Sequence, residues 1–346
     1  MRHAIRRSAA VALLCLFAAA CGNDADTGSA PASSTTALPT TTTAAPTKKL
    51  SVAVVTPSAA DDLAFSQPMI DALQGIAAER GAEFMSLQTT TEMFQTDKAR
   101  EAIIDYAEGG ANIIVAHSDA FGPIVEELAP QYPEITFVWG TEIDTFGMPN
   151  VFSYGLAADE GAYVMGVLAA EITESDKVGI VGPIESGDAK LFVDGFKKGV
   201  HDTKASVQTD VTYIDSFSDV VKAAAAAKTF TDGGADVLTG SSEAMAGAVP
   251  VVVAADAAWF GNQSNQTSLS PDAVVASQVY HFENMLRDVI SRVETGDLGG
   301  EEYELTLANG GLVIEYNENY KLPADARAKA DAAEDQIIAG ALAPNA

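Results

Sequence analysis

The strongest constraint on the fold lies in residues 49–81, where an apolar segment leads through a polar loop into a helical pattern. Leu50 to Val55 is almost entirely apolar and rich in β-branched residues, which is typical of a strand buried on both faces of a parallel sheet. Apolar residues then recur at helical spacing from Ile70 to Ala77, until Gly81 ends the pattern. These segments predict the first half of a βαβ unit, and ligands of open α/β sheets bind outside the carboxyl ends of such strands.

The loop of this unit, Asp61 to Gln67, is rich in groups that bind ligands. It carries two carboxylates, the ring of Phe65, the hydroxyl of Ser66 and an amide within seven residues. One interpretation is a ligand-binding loop, because the carboxyl end of a strand is where such folds bind. The other is a solvated turn in which Phe65 packs back into the core. The loop alone leaves both interpretations open.

The alternation of strands and helices continues along the chain and predicts a doubly wound α/β lobe, with a second alternation beginning at Val178. The predicted strands and helices of the first lobe that follow the loop are 82–87, 96–108, 112–116, 123–129 and 135–139. The last helix is predicted at 324–339, and Leu305 to Ile314 is predicted to form a hairpin through Asn309-Gly310-Gly311. The periodic phenylalanines and glycines between Phe192 and Val200 are interpreted as packing devices on a helix.

The amino terminus predicts secretion and lipid attachment. Three arginines precede an apolar run from Ala9 to Ala20, which is typical of a signal peptide and too short for a permanent membrane span. Cys21 follows small residues as in the bacterial lipobox, in which the cysteine is acylated; an ordinary signal with an incidental cysteine is the alternative. Residues 21–48 are rich in Thr, Ala, Ser and Pro, which predicts a disordered tether. We assign residues 1–20 to the signal peptide and 21–48 to the lipid-anchored tether.

Net charge argues against nucleic acid binding, and the positions of the cysteines exclude disulfide and thiol chemistry in the folded part. Removing the signal removes three of the 20 basic residues, which leaves 17 against 48 acidic residues and a net charge of about −31. Such a charge repels nucleic acid phosphates. The two cysteines, Cys15 and Cys21, both precede the folded part, which therefore has no disulfide and no thiol chemistry.

Several stretches, in the same order, resemble the basic membrane lipoproteins, the nucleoside-binding proteins of ABC importers. Asp62 to Gln67 is similar to the family's Asp-x-Ser-Phe-Asn-Gln, with Ala64 and Ser66 in place of Ser and Asn. The other similar stretches are 133–138, 159–166, 192–200 and 234–237. The chain departs from the family's Gly-x-Asp-x-Asp-Gln, where Gln263 and Asn265 replace both aspartates. Tyr280 stands where a lysine is common.

The resemblance implies a fold of the periplasmic-binding-protein type I kind, with two similar doubly wound three-layer α/β lobes joined by a hinge of three crossings. We expect residues 49–155 with 280–346 to form the amino-terminal lobe and 156–279 the carboxy-terminal lobe. The implied function is a lipid-anchored, extracytoplasmic solute-binding protein of an ABC transporter, held at the cell membrane beside its permease. A nucleoside or purine-like ligand would be enclosed by hinge closure, with no cofactor.

The resemblance implies a ligand site with aromatic rings on the faces of a purine and carboxylates that accept hydrogen bonds from the ribose hydroxyls. Phe65 offers a ring, with Tyr154 or Phe217 opposite; Phe217 fits equally well as a hydrophobic staple of the helix that follows it. Because Gln263 removes a charged acceptor, a free nucleobase or another small aromatic or amide ligand stays open beside a nucleoside. The predicted ligand-binding residues are Asp62, Phe65, Ser66, Gln67, Ser118, Asp119, Tyr154, Glu160, Phe217, Ser241, Gln263 and Tyr280.

The competing functions differ in what their motifs would require. The sequence has no Gly-x-Ser-x-Gly elbow, phosphate-binding loop or His-Glu-x-x-His. A nucleoside-processing enzyme is therefore less favoured; we predict no catalytic residue and no metal ligand, since only His117 of the four histidines lies at a predicted strand end. The secretion signal argues against a transcription regulator built on the same lobes. A lipoprotein that senses a ligand for a membrane partner remains an alternative to a transport receptor.

Overall fold

The computed structural model describes residues 49–345, so the predicted signal peptide, Cys21 and the tether lie outside the described residues. Numbered in chain order, six strands form a first, wholly parallel sheet: β1 (Leu50–Val55), β2 (Met85–Thr90), β3 (Ile113–His117), β4 (Thr136–Gly140), β5 (Val151–Leu156) and β11 (Glu301–Leu305). Their order across the sheet is β11-β5-β4-β3-β1-β2. Strand order therefore reverses beside β1, the kind of position at which doubly wound sheets bind ligands.

The second sheet repeats this plan. Its strands are β6 (Lys177–Gly182), β7 (Gln208–Tyr213), β8 (Val237–Gly240), β9 (Ala258–Gln263), β10 (Val274–Tyr280) and β12 (Leu312–Tyr316), in the order β12-β10-β9-β8-β6-β7. All neighbours run parallel except β12, which is antiparallel to β10. The predicted pair of doubly wound lobes is confirmed.

Helices cover both sheets. Around the first sheet lie α1 (Ser66–Arg80), α2 (Thr96–Glu108), α3 (Gly122–Leu128) and α8 (Glu283–Thr295). Around the second lie α4 (Ala158–Ile172), α5 (Gly187–Thr203), α6 (Val220–Asp232), α7 (Met245–Ala254) and α9 (Ala324–Ile338). Among residues 49–345, no helix combines the length and the apolar character that a membrane span requires.

Burial on both faces explains the apolar strands. In β1, Val52 and Val54 pack in one apolar cluster, whereas Ala53 and Val55 pack in another on the opposite face of the sheet. Because side chains alternate along a strand, a strand covered on both faces must be apolar throughout. The first of these clusters continues into the second lobe, where it includes Phe260 of β9.

The chain crosses between the sheets three times: from β5 to α4, from β10 to α8, and from β11 to β12. The third crossing contradicts the predicted hairpin at 305–314, because its two strands lie in different sheets. Asn309 does hold a turn, with its side-chain oxygen accepting hydrogen bonds from Thr306 N and Gly311 N at 3.0 Å each. Pairing of β11 with β5 and of β12 with β10 nevertheless separates the strands. Residues 280–346 are thus divided between the lobes, with β12 and α9 on the second.

Candidate functional site

A cavity lies between the lobes, next to the carboxyl ends of β1 and β3, with an empty volume of ≈ 870 Å³ counted out to its mouth. Both lobes contribute to its wall. The first lobe supplies Pro57, Ser58, Phe65, Met93, Phe94, Ser118, Asp119, Ala120, Phe121 and Thr141, and the second supplies Ile184, Ser186, Gly187, Asp188, Ala189, Phe217, Ser242, Glu243 and Gln263.

Five predicted ligand-binding residues are in this wall: Phe65, Ser118, Asp119, Phe217 and Gln263. Phe65, Ser118 with Asp119, and Phe217 lie in the segments that follow β1, β3 and β7, and Gln263 is the last residue of β9. The other seven predicted residues lie outside the wall, where they support the loops or the hinge. The strand ends therefore locate the cavity, but not every polar side chain near a strand end faces it.

Asp62, Ser66 and Gln67 stabilise the loop after β1 rather than line the cavity. The Asp62 carboxylate accepts hydrogen bonds from Ala64 N at 2.9 Å, Ser66 N at 3.0 Å, Gln67 N at 3.2 Å and Ser58 Oγ at 2.6 Å. Ser66 is buried with its hydroxyl 2.5 Å from that of Ser58, and Gln67 Oε1 accepts from Leu63 N at 3.1 Å. Their oxygens are thus occupied within the loop, and the result is a fixed position for Phe65.

The Phe65 ring is held from behind by His117. The two rings stack with centroids 4.0 Å apart and planes 10° apart. His117 Nε2 lies 2.9 Å from the Phe65 carbonyl oxygen, and Nδ1 lies 2.5 Å from Tyr154 Oη. Burial lowers the pKa of His117 to about 4, so the imidazole is neutral at pH 7. A carbonyl only accepts, hence Nε2 carries the proton and Nδ1 accepts from the tyrosine hydroxyl.

Tyr154 is therefore on the same side of Phe65 as His117, fully buried behind it. The prediction that Tyr154 faces Phe65 across a ligand is wrong, because His117 fills the space between the two rings. The sequence did not predict a role for His117 at the site, because the residue belongs to no metal-binding or catalytic motif. Its role is to orient Phe65.

Phe217 supplies a ring from the other lobe. It is 38% exposed and lines the cavity. The interpretation of Phe217 as a hydrophobic staple is wrong: Asp219 caps α6, accepting from Val221 N at 3.1 Å and Lys222 N at 2.9 Å, so the staple position belongs to Ser218. Phe65 and Phe217 thus enter one cavity from opposite lobes.

Ser241, Glu160 and Tyr280 lie in the supporting structure. Ser241 is buried and accepts a hydrogen bond from Asn262 Nδ2 at 3.0 Å. Glu160 accepts from Leu307 N at 2.7 Å, which joins α4 to the third crossing, and burial raises its pKa. Tyr280 is 2% exposed and packs edge-on against Phe282. Burial raises the pKa of Tyr280 well above its usual value.

Two carboxylates of the wall were missed in the sequence. Burial, together with the charge of Asp119, raises the pKa of Asp188 to about 6. Burial, with a smaller contribution from Asp62, raises the pKa of Glu243 to about 7. Both residues follow strand ends, after β6 and β8, so the rule that identified Phe65 also covers them. No group of three or more side chains suited to a metal ion lies in the part of the chain that the structure describes.

The loop after β1 is also bonded to the second lobe. Ser264 Oγ donates to the Ala64 carbonyl at 2.8 Å, and Gln266 Nε2 donates to the Leu63 carbonyl at 3.1 Å. Leu63 and Gln263 have φ values of 50° and 73°, a region that residues other than glycine rarely adopt. Such strained backbone is concentrated at ligand sites. These bonds join the loop that carries Phe65 to the second lobe.

Sequence comparison relates the chain to bacterial substrate-binding proteins. The Bmp family, described as "ABC transporter substrate-binding protein PnrA-like", matches residues 49–343. The chain is 25% identical over 304 residues to the ABC transporter nucleoside-binding protein BmpA of Lactococcus lactis. The alignment covers 81% of this chain and 86% of that protein. It is 24% identical over 246 residues to a purine-binding protein of Brucella abortus, covering 71% of this chain and 69% of that protein.

Solved structures share the two-lobe fold. An ABC transporter solute-binding protein from Aeropyrum pernix superposes with a TM-score of 0.73 at 21% identity, covering 85% of this chain and 92% of that one. A solute-binding protein from Conexibacter woesei gives a TM-score of 0.72 at 20% identity, covering 85% and 98%. At these identities the likeness shows the fold alone. It confirms the predicted architecture of the periplasmic-binding-protein kind.

Proposed function

The chain belongs to the Bmp family of PnrA-like ABC transporter substrate-binding proteins, and on that premise we propose that it binds a nucleoside or purine-like molecule in the cavity between its lobes. It delivers the ligand to an ABC permease from the extracytoplasmic face of the cell membrane and releases it chemically unchanged. Two relatives support this ligand class by name, one as nucleoside-binding and one as purine-binding.

The observation that carries the proposal is the pair of rings, Phe65 and Phe217, in one cavity. Each belongs to a different lobe, and the cavity lies between the lobes. A flat heterocycle placed there contacts aromatic surface from both sides, and aromatic stacking adds about 0.5–1.5 kcal/mol beyond area burial. Asp119 and Gln263 in the same wall offer oxygens to the polar edge of such a ligand.

We propose that binding is coupled to hinge closure. Only three chain segments were found to cross between the lobes in residues 49–345. So few crossings can bend together as a hinge. Bonds from Ser264 and Gln266 to the carbonyls of Ala64 and Leu63 join the second lobe to the loop after β1. Opening the cleft breaks these bonds, and a bound ligand that contacts both lobes favours their formation.

A thermal-shift screen tests the ligand class. Nucleosides and free purine bases are expected to raise the melting temperature in proportion to the logarithm of their concentration, because a ligand at 100 times its Kd stabilises the folded state by about 2.7 kcal/mol. Ribose alone serves as the matched fragment without the base. Absence of any shift with nucleosides and bases at millimolar concentration contradicts the purine proposal. Mass spectrometry of ligand released on denaturation gives an independent identification.

Cys21 is proposed to carry the lipid that anchors the protein. Cys21→Ala is expected to move the protein from the membrane fraction to the medium or to leave it unprocessed, because no acylated residue remains. Fractionation of cells that express the full chain, followed by immunoblotting, measures this; Cys15→Ala, within the predicted signal peptide, is the matched control and stays membrane-bound. A processed Cys21→Ala protein that still sediments with membranes contradicts the anchor.

A further inference from the structure

The cavity wall carries charge of one sign. Asp119 comes from the first lobe, and Asp188 and Glu243 come from the second. Of the described residues that line the cavity, none is a lysine, arginine or histidine. A cleft whose charges share one sign and whose walls are apolar focuses its potential on the ligand position. The wall is therefore suited to a positive charge and unsuited to a phosphate or carboxylate.

Hydrogen-bond acceptors in this wall are left without donors. Gln263 is only 4% exposed, and its side-chain oxygen has no hydrogen-bond partner among the described residues. One carboxylate oxygen of Glu243 is likewise buried and unpaired within residues 49–345. Buried acceptors cost free energy unless a donor reaches them. Donors on a ligand meet this requirement.

Among the residues that the structure describes, no positively charged group contributes to the pKa shift of either second-lobe carboxylate. Around Asp188 lie Asp119 and the phenols of Tyr154 and Tyr280, with the Thr141 hydroxyl 3.5 Å from its carboxylate. Glu243 has Asp62 as its charged neighbour. Burial raises both pKa values, with a further contribution from Asp119 for Asp188 and from Asp62 for Glu243, to about 6 for Asp188 and about 7 for Glu243. A cation between them reverses these shifts and drives off protons.

The aromatic part of the wall fits the same ligand. Phe65, Phe94 and Phe217 line the cavity, and Phe94 is 50% exposed. The faces of aromatic rings carry negative potential and attract cations. Rings and carboxylates together form the kind of site that receives an organic cation, whereas a neutral heterocycle gains hydrogen bonds from the carboxylates but no attraction between opposite charges.

We propose that the preferred ligand is a cationic heteroaromatic molecule, whose ring lies between Phe65 and Phe217 and whose positive charge or N–H donors face Asp188 and Glu243. The cationic preference rests on the proposed function, because it uses the same cavity. It narrows the proposed ligands from nucleosides and purines in general to positively charged heteroaromatic molecules, a preference that membership of the family does not specify.

Matched pairs of neutral and cationic molecules test the proposal by calorimetry at pH 7.5. 1-Methyladenosine, which is cationic, and its neutral isomer N6-methyladenosine have the same atoms apart from the added proton. 1-Methylnicotinamide and nicotinamide form a second pair without a purine. The cation of at least one pair is expected to bind about tenfold or more tightly than its neutral partner, equivalent to about 1.4 kcal/mol. Binding of the cation is also expected to release protons, measured from the dependence of the heat on the ionisation enthalpy of the buffer.

Charge-removing variants assign the preference to the cavity. The double variant Asp188→Asn/Glu243→Gln is expected to reduce the preference for the cation to about twofold or less, because it removes both second-lobe charges and with them the charge-assisted bonds. Asp194→Asn is the control: Asp194 lies on the same helix as Asp188, pairs with Lys190 and is absent from the cavity wall. It is expected to keep the preference.

The outcomes separate this inference from the proposed function. If the neutral molecule binds as tightly as the cation, or more tightly, in every pair that binds, the cationic preference is overturned, and binding of the neutral purine leaves the proposed function intact. Binding of the nicotinamide cation without any purine overturns the nucleoside proposal and supports the cationic preference. A preference that survives the double variant, or failure of both cations to bind, overturns the inference.

Discussion

Gly199→Ala is expected to lower the free energy of unfolding by about 3 kcal/mol, the upper end of the usual cost of overpacking. Gly199 lies where α5 crosses α4 in the second lobe. A Cβ atom there falls 2.1 Å from the Tyr163 carbonyl oxygen and 3.0 Å from Tyr163 Cα. These are backbone atoms of a buried helix, so the conflict is relieved only when the two helices move apart.

The close approach of α4 and α5 depends on more than one glycine. A Cβ on Gly166 falls 2.2 Å from the Phe196 carbonyl oxygen, and one on Gly195 falls 2.4 Å from that of Asp159. The helices therefore pack backbone to backbone along this contact. Separating them loosens the packing of Phe192 and Phe196, which are fully buried in the shared core.

Gly75→Ala is the matched control for this prediction. Gly75 lies in α1, is exposed, and has no atom within 4 Å of an added Cβ. Alanine is favoured over glycine in a helix by about 1 kcal/mol, so the same substitution is expected to stabilise the protein. Urea unfolding of the unliganded protein measures both. If the urea midpoints of Gly199→Ala and Gly75→Ala shift in the same direction, or if the Gly199→Ala midpoint equals that of the parent, the packing explanation is contradicted.

Packing patterns were the most predictable part of the chain. The repeat of phenylalanine and glycine in Phe192 to Val200 has one buried face and close helix contact as its simplest physical cause, and the structure confirms this interpretation. The strand Leu50 to Val55 was predicted to the residue because it is buried on both faces. β2 was predicted three residues too early: it is an edge strand with polar residues such as Ser86 and Gln88, which blur its pattern.

Long-range pairing was not predictable from local sequence. Asn309-Gly310-Gly311 has the composition of a hairpin turn and does form a turn, yet its flanking strands pair with partners more than 30 residues away in sequence. The choice depends on which sheet has an open edge beside each strand. That information lies in the assembled lobes and not in the turn.

The site was predicted by position more reliably than by chemistry. The rule that strand ends meet at one edge located the cavity, with Phe65 and Asp119 in its wall. Which side chain faces the cavity depends on local hydrogen bonding, and Asp62 turns inward to bond the backbone of its own loop. Asp188 was missed because it stands at a helix start without any motif, and only the approach of the lobes brings it near Asp119.

Phe65→Ala and Phe217→Ala are each expected to weaken binding of the tightest nucleoside from the screen by about tenfold, since each removes roughly 1 kcal/mol of stacking together with buried area. Their effects on the unliganded protein differ. Phe65 packs on His117 and on the core, so its loss is expected to lower stability, although by less than the roughly 3–5 kcal/mol of a fully buried phenylalanine. Phe217 is 38% exposed, so its loss is expected to leave stability nearly unchanged.

Phe217→Ala is therefore the decisive variant, because its effect on affinity cannot come from a damaged lobe. Calorimetry gives the affinity of each variant, and the urea midpoint without ligand gives its stability. Phe65→Leu separates the two roles of Phe65: leucine keeps apolar contact with the core but has no aromatic face, so affinity is expected to fall while most of the midpoint is retained. If Phe217→Ala binds like the parent protein, only one lobe supplies a ring. The ligand is then held against the Phe65 ring of the first lobe, and the placement of a heterocycle between rings from both lobes is wrong.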